Sequence, residues 1–334
     1  MKRLTNVNAR DLQQAIALAG DARRGGRAVA FAGGGSDLLG MTKDRLIAPD
    51  LVVRLATIRN LDQATPVSGG LTIGGLMTLD AIGRNDNIRQ RYTVLAEAAE
   101  TVATPQIRNV GTLAGNVCQR PWCWYFRNGF PCYKAGGNQC FSFAGENQFH
   151  AIFGGGPSYI VHPSDTAPAL VALDAEFRIV GPGGERRVPA ADFFALPRRD
   201  PAHENVLAEN EVLASVQLPA PRPGMRSAYH KVMDREAWTH AVVSAAVVMQ
   251  MKGEVCERAR VVLGGVAPIP WRLPEVEKML AGQRITPALA EKAGDAAVAG
   301  ARPLAKNGYK VPLTRGMVGR TILAIADPGF RNAD

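Results

Sequence analysis

Three consecutive glycines set the first constraint on this chain. The short apolar run at residues 27–31, ending in Phe31, reads as a buried strand that passes through Ala32 into Gly33-Gly34-Gly35, then Ser36, Asp37 and Leu38. Without Cβ atoms such residues bend sharply and bring backbone N–H groups close to a ligand, and a nest of N–H donors holds an anion. A plain tight turn is the other reading of the same residues. A second glycine-bearing element, residues 104–116, contains Thr104, Gly111, Thr112, Gly115 and Asn116. It has neither the G-x-G-x-x-G spacing of a dinucleotide-binding turn nor the G-x-x-x-x-G-K-[ST] of a P-loop. Two separated nests, each behind an apolar segment, suit one long ligand containing a pyrophosphate.

Around these elements the pattern predicts strands at 51–55 and 71–75, a helix opening over 76–82, and a helix over 92–102 that stops before Pro105. A helix at 167–175 and strands at 176–181 and 186–188 follow. Three prolines between 219 and 224 mark a linker. Beyond it, strands at 227–232, 241–252 and 258–264 precede helices at 273–281, 286–299 and 314–326. Strands followed by helices predict an antiparallel sheet with helices on one side, an α+β domain over 225–330 after a mixed domain over 1–218.

Five cysteines are the next constraint, and four of them, Cys118, Cys123, Cys132 and Cys140, fall within 23 residues. Cys256 stands alone and reads as a small buried hydrophobe. An odd count in a chain of this size, with no apolar segment behind its basic start, argues for metal or redox chemistry and against a disulfide framework. Between Glu100 and Glu146 lie 45 positions without an acidic residue, where the chain's average of one in eleven predicts about four; Arg108, Arg120, Arg127 and Lys134 lie there. Such a span suits a neighbourhood of anionic groups, whether phosphates or a thiolate-ligated iron cluster. Trp122, Trp124, Tyr125, Phe126, Phe130 and Phe141 surround the cysteines, either as a dry shell for a metal centre or as the segment's own core and a partner-facing surface.

The formal charge of +9 raises nucleic-acid binding, but the basic residues are spread along the chain without a zinc-finger or RRM pattern. No run of about 18 apolar residues exists, so a transmembrane helix is excluded. A cytoplasmic protein is expected, or a periplasmic one carried by a signal-bearing partner.

Four segments carry a resemblance. Ala32-Gly33-Gly34-Gly35-Ser36-Asp37-Leu38-Leu39, Ile107-Arg108-Asn109-Val110-Gly111-Thr112-Leu113-Ala114-Gly115-Asn116, Pro163-Ser164-Asp165-Thr166-Ala167-Pro168-Ala169-Leu170, and Lys231-Val232-Met233-Asp234-Arg235-Glu236-Ala237-Trp238 followed by residues 241–246 resemble, in order, the FAD-binding medium subunit of molybdenum hydroxylases, the xanthine dehydrogenase and aldehyde oxidoreductase family. The resemblance implies a vanillyl-alcohol-oxidase-type (PCMH-type) FAD-binding domain of two α/β subdomains, plus a C-terminal α+β domain with an antiparallel sheet. It places the pyrophosphate on residues 31–38 and on Thr104, Gly111, Thr112, Gly115 and Asn116, Asp165 near the adenosine or ribityl part, and Lys231 near the flavin ring. Read without it, Asp165 is an N-cap and Lys231 a solvated strand-end lysine.

Members with an insert at about 117–150 bind an additional [4Fe–4S] cluster there, and Cys123, Cys132 and Cys140 match the insert's cysteines. Their fourth ligand lies downstream, where residues 149–158 hold no cysteine; Cys118 is the substitute, giving Cys118-x4-Cys123-x8-Cys132-x7-Cys140. Structural zinc and buried free thiols remain open readings, with His150 and His162 as further donors. The implied function is electron transfer through FAD, from [2Fe–2S] clusters of a small partner and a molybdopterin-binding large partner to an external acceptor. A self-contained FAD oxidase of the same fold is the alternative, and it would want a covalent flavin anchor or an acid–base pair that is not evident.

Overall fold

The computed structural model describes residues 3–327. Strands β1 (Thr5–Asn8), β2 (Val29–Ala32) and β3 (Leu51–Arg54) form a parallel sheet in the order β1-β3-β2. Parallel neighbours require crossovers, here α1 (Leu12–Arg24) and α2 (Ser36–Lys43). Asp11 starts α1 by accepting from the Gln14 N–H, and the helix buries Ala15, Ala19 and Ala22, spaced to share one face.

Strands β4 (Ala64–Val67), β5 (Gly70–Gly74), β6 (Glu176–Gly181), β7 (Gly184–Pro189) and β8 (Val212–Leu218) form a second, antiparallel sheet in the order β4-β5-β8-β6-β7. Between β5 and β6 run α3 (Leu79–Arg84), α4 (Asp86–Arg91), α5 (Thr93–Glu100), α6 (Pro105–Arg108), α7 (Leu113–Val117), α8 (Trp124–Arg127) and α9 (Thr166–Ala172); α10 (Ala190–Phe193) follows β7. Leu71, Ile73, Ile82, Leu95, Phe177 and Val216 form the core beneath this sheet. The helix expected from residue 76 starts at Leu79 because Thr78 caps it, its hydroxyl accepting from the Ala81 N–H.

The third sheet is antiparallel: β9 (Met225–Val232), β10 (Val243–Lys252), β11 (Val255–Gly264) and β12 (Trp271–Arg272) in the order β12-β11-β10-β9, with β13 (Gln283–Arg284) on the far end of β11. Helices α11 (Pro274–Leu280), α12 (Pro287–Val298) and α13 (Lys310–Ala326) follow it. Pro312 in the first turn of α13 needs no N–H partner, which lets that helix begin four residues before the predicted Thr314.

The expected α+β architecture is present, with one addition: the third sheet is covered on both faces. Ala245, Val247 and Met249 of β10 pack in the cluster with α11, α12 and α13, while Ala246 and Val248 join the core shared with α5 and α9. All seven residues from 243 to 249 are buried, which is why this strand reads in sequence as a continuous apolar run. Each buried Val or Met there contributes roughly 1.5–3 kcal/mol. No helix among the described residues is long and apolar enough to cross a membrane.

Candidate functional site

The two glycine elements touch. A Cβ on Gly34 would lie 1.7 Å from the Val110 carbonyl oxygen and one on Gly33 would lie 2.8 Å from the Thr112 hydroxyl, so no other residue fits either position without movement. Gly35 adopts φ 77°, a left-handed conformation, as it turns the chain from β2 into α2. Phe31, Ala32, Gly33–Gly35, Ser36, Asp37 and Leu38 thus run along the C-terminal end of a parallel strand into a helix that has no side-chain cap. Opposite them stands the Gly111–Thr112 turn, where the Thr112 hydroxyl accepts from the Gly115 N–H at 3.2 Å. Ligands of open α/β sheets bind outside strand ends of this kind.

Two further residues named from sequence brace the elements around the second turn. Thr104 caps α6. The Asn116 side-chain oxygen accepts from Ser164 Oγ at 2.6 Å and Thr166 Oγ1 at 2.7 Å, tying α7 to the start of α9.

Asp37 links the first glycine loop to the cysteine-bearing segment. Its carboxylate pairs with Arg127 Nη2 at 2.8 Å and accepts from the Arg120 backbone N–H at 3.2 Å. The Arg127 guanidinium also donates to the Pro121 and Arg120 carbonyls and lies over the Trp122 ring, 4.2 Å from its centroid. Deeper, Glu204 meets Lys134 at 3.0 Å and Arg120 at 2.8 Å, with the Lys134 and Glu204 side chains 1% and 3% exposed. Burial lowers the Lys134 pKa and Glu204 opposes that shift. Three of the four basic residues in the acid-free span therefore pair with two acids from elsewhere in the chain, Asp37 and Glu204, a pairing that sequence distance conceals.

Asp165 and Lys231 meet directly. Lys231 Nζ lies 2.7 Å from Asp165 Oδ2 and also donates to the Thr101 and Thr239 carbonyls at 3.0 and 3.3 Å. Tyr229 donates its hydroxyl to Asp165 Oδ1 at 2.7 Å, and burial together with that carboxylate holds the phenol well above its usual 10. Both single-residue alternatives are overturned. Ser164, not Asp165, accepts from the Ala167 N–H, and the Lys231 side chain is 1% exposed. The pair joins the end of α5, the segment before α9, β9 and the loop after it. Sequence reasoning missed Thr101 and Thr239, whose backbone carbonyls leave no mark in a sequence, and Tyr229, which lies 64 positions from the carboxylate it donates to.

Thr239 also lines a cavity of about 470 Å³, together with Trp122, Cys123, His150, Pro163 and His240. The Trp122 and His240 rings lie 5.3 Å apart, and burial keeps His240 below its usual pKa. This cavity brings the cysteine segment, the Pro163–Asp165 segment and the loop after β9 to one place.

Among the cysteines, three group together. Cys132 is buried with Met41 and Phe126, and Cys123 and Phe141 pack against them. Burial pushes the Cys123 thiol up to about 11, and the Cys140 and Cys132 thiols add to that shift. The Cys123 sulfur lies 3.3 Å from His150 Nε2, and the Cys140 sulfur lies 3.1 Å from Ser142 Oγ. Cys118 does not share that packing. It caps the C-terminus of α7 and continues that helix's apolar face into the main core, where burial alone pushes its thiol up to about 12. Among the described residues, no three His, Cys, Asp or Glu side chains close around a single metal ion. Of the aromatic residues, Tyr125, Phe130 and Phe141 pack on one another, whereas Trp122 and Trp124 are 48% and 66% exposed.

Comparison with known proteins agrees with this geometry. Residues 2–221 match the family described as the FAD binding domain in molybdopterin dehydrogenase, and residues 228–325 match the CO dehydrogenase flavoprotein C-terminal domain. The chain is 34% identical over 290 residues to the FAD-binding subunit of an aldehyde oxidoreductase, PaoB, of Escherichia coli (strain K12), covering 85% of this chain and 87% of that protein. It is 28% identical over 316 residues to the carbon monoxide dehydrogenase medium chain of Hydrogenophaga pseudoflava, covering 93% of each. A solved structure of carbon monoxide dehydrogenase from that organism superposes with a TM-score of 0.77 at 26% identity, covering 97% of both chains. Quinoline 2-oxidoreductase from Pseudomonas putida 86 shares the fold, with a TM-score of 0.76 at 22% identity, covering 99% of this chain and 100% of that one.

Proposed function

The chain belongs to the FAD-binding family of the molybdopterin dehydrogenases, and from that membership we propose that it is the electron-transfer flavin subunit of a molybdenum hydroxylase that oxidises an aldehyde or N-heterocycle. Its domains are assigned as 1–218 and 225–330, with the insert at about 117–150. The partners are a molybdopterin-binding large subunit and a small subunit with [2Fe–2S] clusters. FAD, when bound, supplies a carrier that accepts electrons from those clusters and passes them to an external acceptor.

The observation that carries this reading is the contact between the two glycine elements. Gly33 and Gly34 pack against the Val110 carbonyl and the Thr112 hydroxyl, and the uncapped start of α2 presents its backbone donors at the same place. These residues fit a pyrophosphate. Residues 31–38, Gly111, Thr112 and Gly115 hold it, with Thr104 and Asn116 bracing the turn between them. Asp165 and Lys231, beside the cavity at Thr239 and His240, orient the ribityl and ring end. Trp122 and His240 exclude water from that end.

In the insert, Cys123, Cys132 and Cys140 are proposed as three thiolate ligands of a [4Fe–4S] cluster. The donor set fits, because soft thiolates select iron–sulfur clusters and a cubane spreads its ligands over four corners instead of gathering them at one ion. Cys118 would serve as the fourth ligand only by leaving the core under α7. The complex is placed in the cytoplasm, or in the periplasm if a signal-bearing partner exports it.

Purified alone, the chain is expected to bind FAD and to turn over neither aldehydes nor purines with an artificial acceptor. Robust turnover by the lone chain would refute the assignment in favour of a self-contained FAD oxidase.

A further inference from the structure

A second cavity, of about 180 Å³, lies at the far end of α9 from Asp165, where the third sheet meets the linker after β8. Its lining combines the apolar Leu173, Met225 and Val248 with Arg222, Arg258 and Arg260. Asp174 answers two of these charges: its Oδ2 lies 2.7 Å from Arg258 Nη2, and its Oδ1 lies 2.9 Å from Arg260 Nε. The turn that ends α9 supplies this carboxylate. The Ala175 N–H donates to the Leu170 carbonyl and the Asp174 N–H to the Val171 carbonyl, while Asp174 takes φ 52° where glycine is the usual residue.

Basic charge here exceeds its partners. Arg272 pairs with Glu277 at 2.6 Å, and Arg260 reaches the same carboxylate at 3.4 Å. Arg222 has no acid partner among the described residues. Arg222, Arg258, Arg260 and Arg272 thus stand against Asp174 and Glu277, leaving two positive charges in excess. Burial, and after it the charges of Arg260, Arg222 and Arg272, lower the Arg258 pKa, and Asp174 only partly opposes them. The Arg258 and Arg260 side chains are 31% and 19% exposed, so water screens their repulsion incompletely. Guanidinium forks gathered in this way match oxyanions, which accept paired N–H bonds.

We infer that this cavity binds a small organic dianion, a phosphate monoester or a dicarboxylate, with a compact apolar body. Two negative charges balance the excess, and Leu173, Met225 and Val248 cover the body. Sites for drug-sized molecules usually span roughly 300–1,000 Å³, so this one takes a smaller molecule. Its lining comes from the end of α9 and the linker on one side and from β10 and β11 on the other, so a bound dianion ties the third sheet to the first half of the chain.

Isothermal titration calorimetry of the full chain, at constant ionic strength because salt screens such charges, tests the site with phenyl phosphate, phthalate and neutral benzyl alcohol. Saturable binding of an anion and none of benzyl alcohol is expected, and the tighter of the two anions identifies the head group. Arg222→Ala, at an exposed position, should weaken that affinity about tenfold, the worth of one charge-assisted hydrogen bond. Asp174→Asn, which tolerates the same left-handed backbone and removes the competing carboxylate, should tighten it. Affinity unchanged in both variants would place the anion elsewhere, the glycine cradle included, and overturn the assignment. Binding of benzyl alcohol as tight as that of the anions, or no binding of either anion, would overturn it as well.

Discussion

Asp165 and Lys231 show what a sequence gives and withholds about single residues. The segments around them mark both as candidate site residues, but they are 66 positions apart and their mutual contact has no signature in spacing. Each was therefore assigned a separate duty, whereas the folded chain makes them one buried unit with Tyr229. An ion pair so enclosed costs desolvation to form, and removing one partner leaves an uncompensated charge. Lys231→Met is expected to destabilise the chain by about 3–5 kcal/mol and to weaken FAD uptake. Urea unfolding with parallel flavin titration measures both, and wild-type values for each would show the pair to be dispensable.

Elements differ in legibility for physical reasons. The strand β10 is plain in the sequence because both its faces are buried, while β1 is short and largely polar and β4 is a four-residue strand with a proline and no buried residue. The cysteine segment has little regular structure, so the sequence marks its cysteines but not which of them meet. Cys118 belongs to the helix before the segment and follows that helix inward. What holds the segment is Glu204, an acid outside it that braces Lys134 and Arg120. Glu204→Gln keeps a hydrogen-bond acceptor but strands the buried Lys134 charge, and a loss of about 3 kcal/mol is expected. Lower melting temperature with new protease cleavage within 117–150 is the anticipated result, and adding Lys134→Met should recover much of the loss. Melting that is unchanged in Glu204→Gln would show that the segment is anchored elsewhere.

For the molecule as a whole, the third sheet binds the halves together. Tyr229, Ala246, Val248 and Val262 pack into the core of the flavin-binding half, so residues 225–327 produced alone would expose that face. Such a fragment is expected to bind a hydrophobic dye and aggregate, and co-expression with residues 1–221 should restore solubility; a soluble, dye-silent fragment would contradict the shared core. The grip of the segment that leads into the last helix on the end of the cysteine segment carries a consequence in time. Lys306 pairs with Glu146 across 160 residues of chain. At roughly 5–20 residues per second on the ribosome, that gap lasts about 8–32 s. During each round of synthesis the cysteine segment emerges first and waits without this clamp until the closing helix arrives.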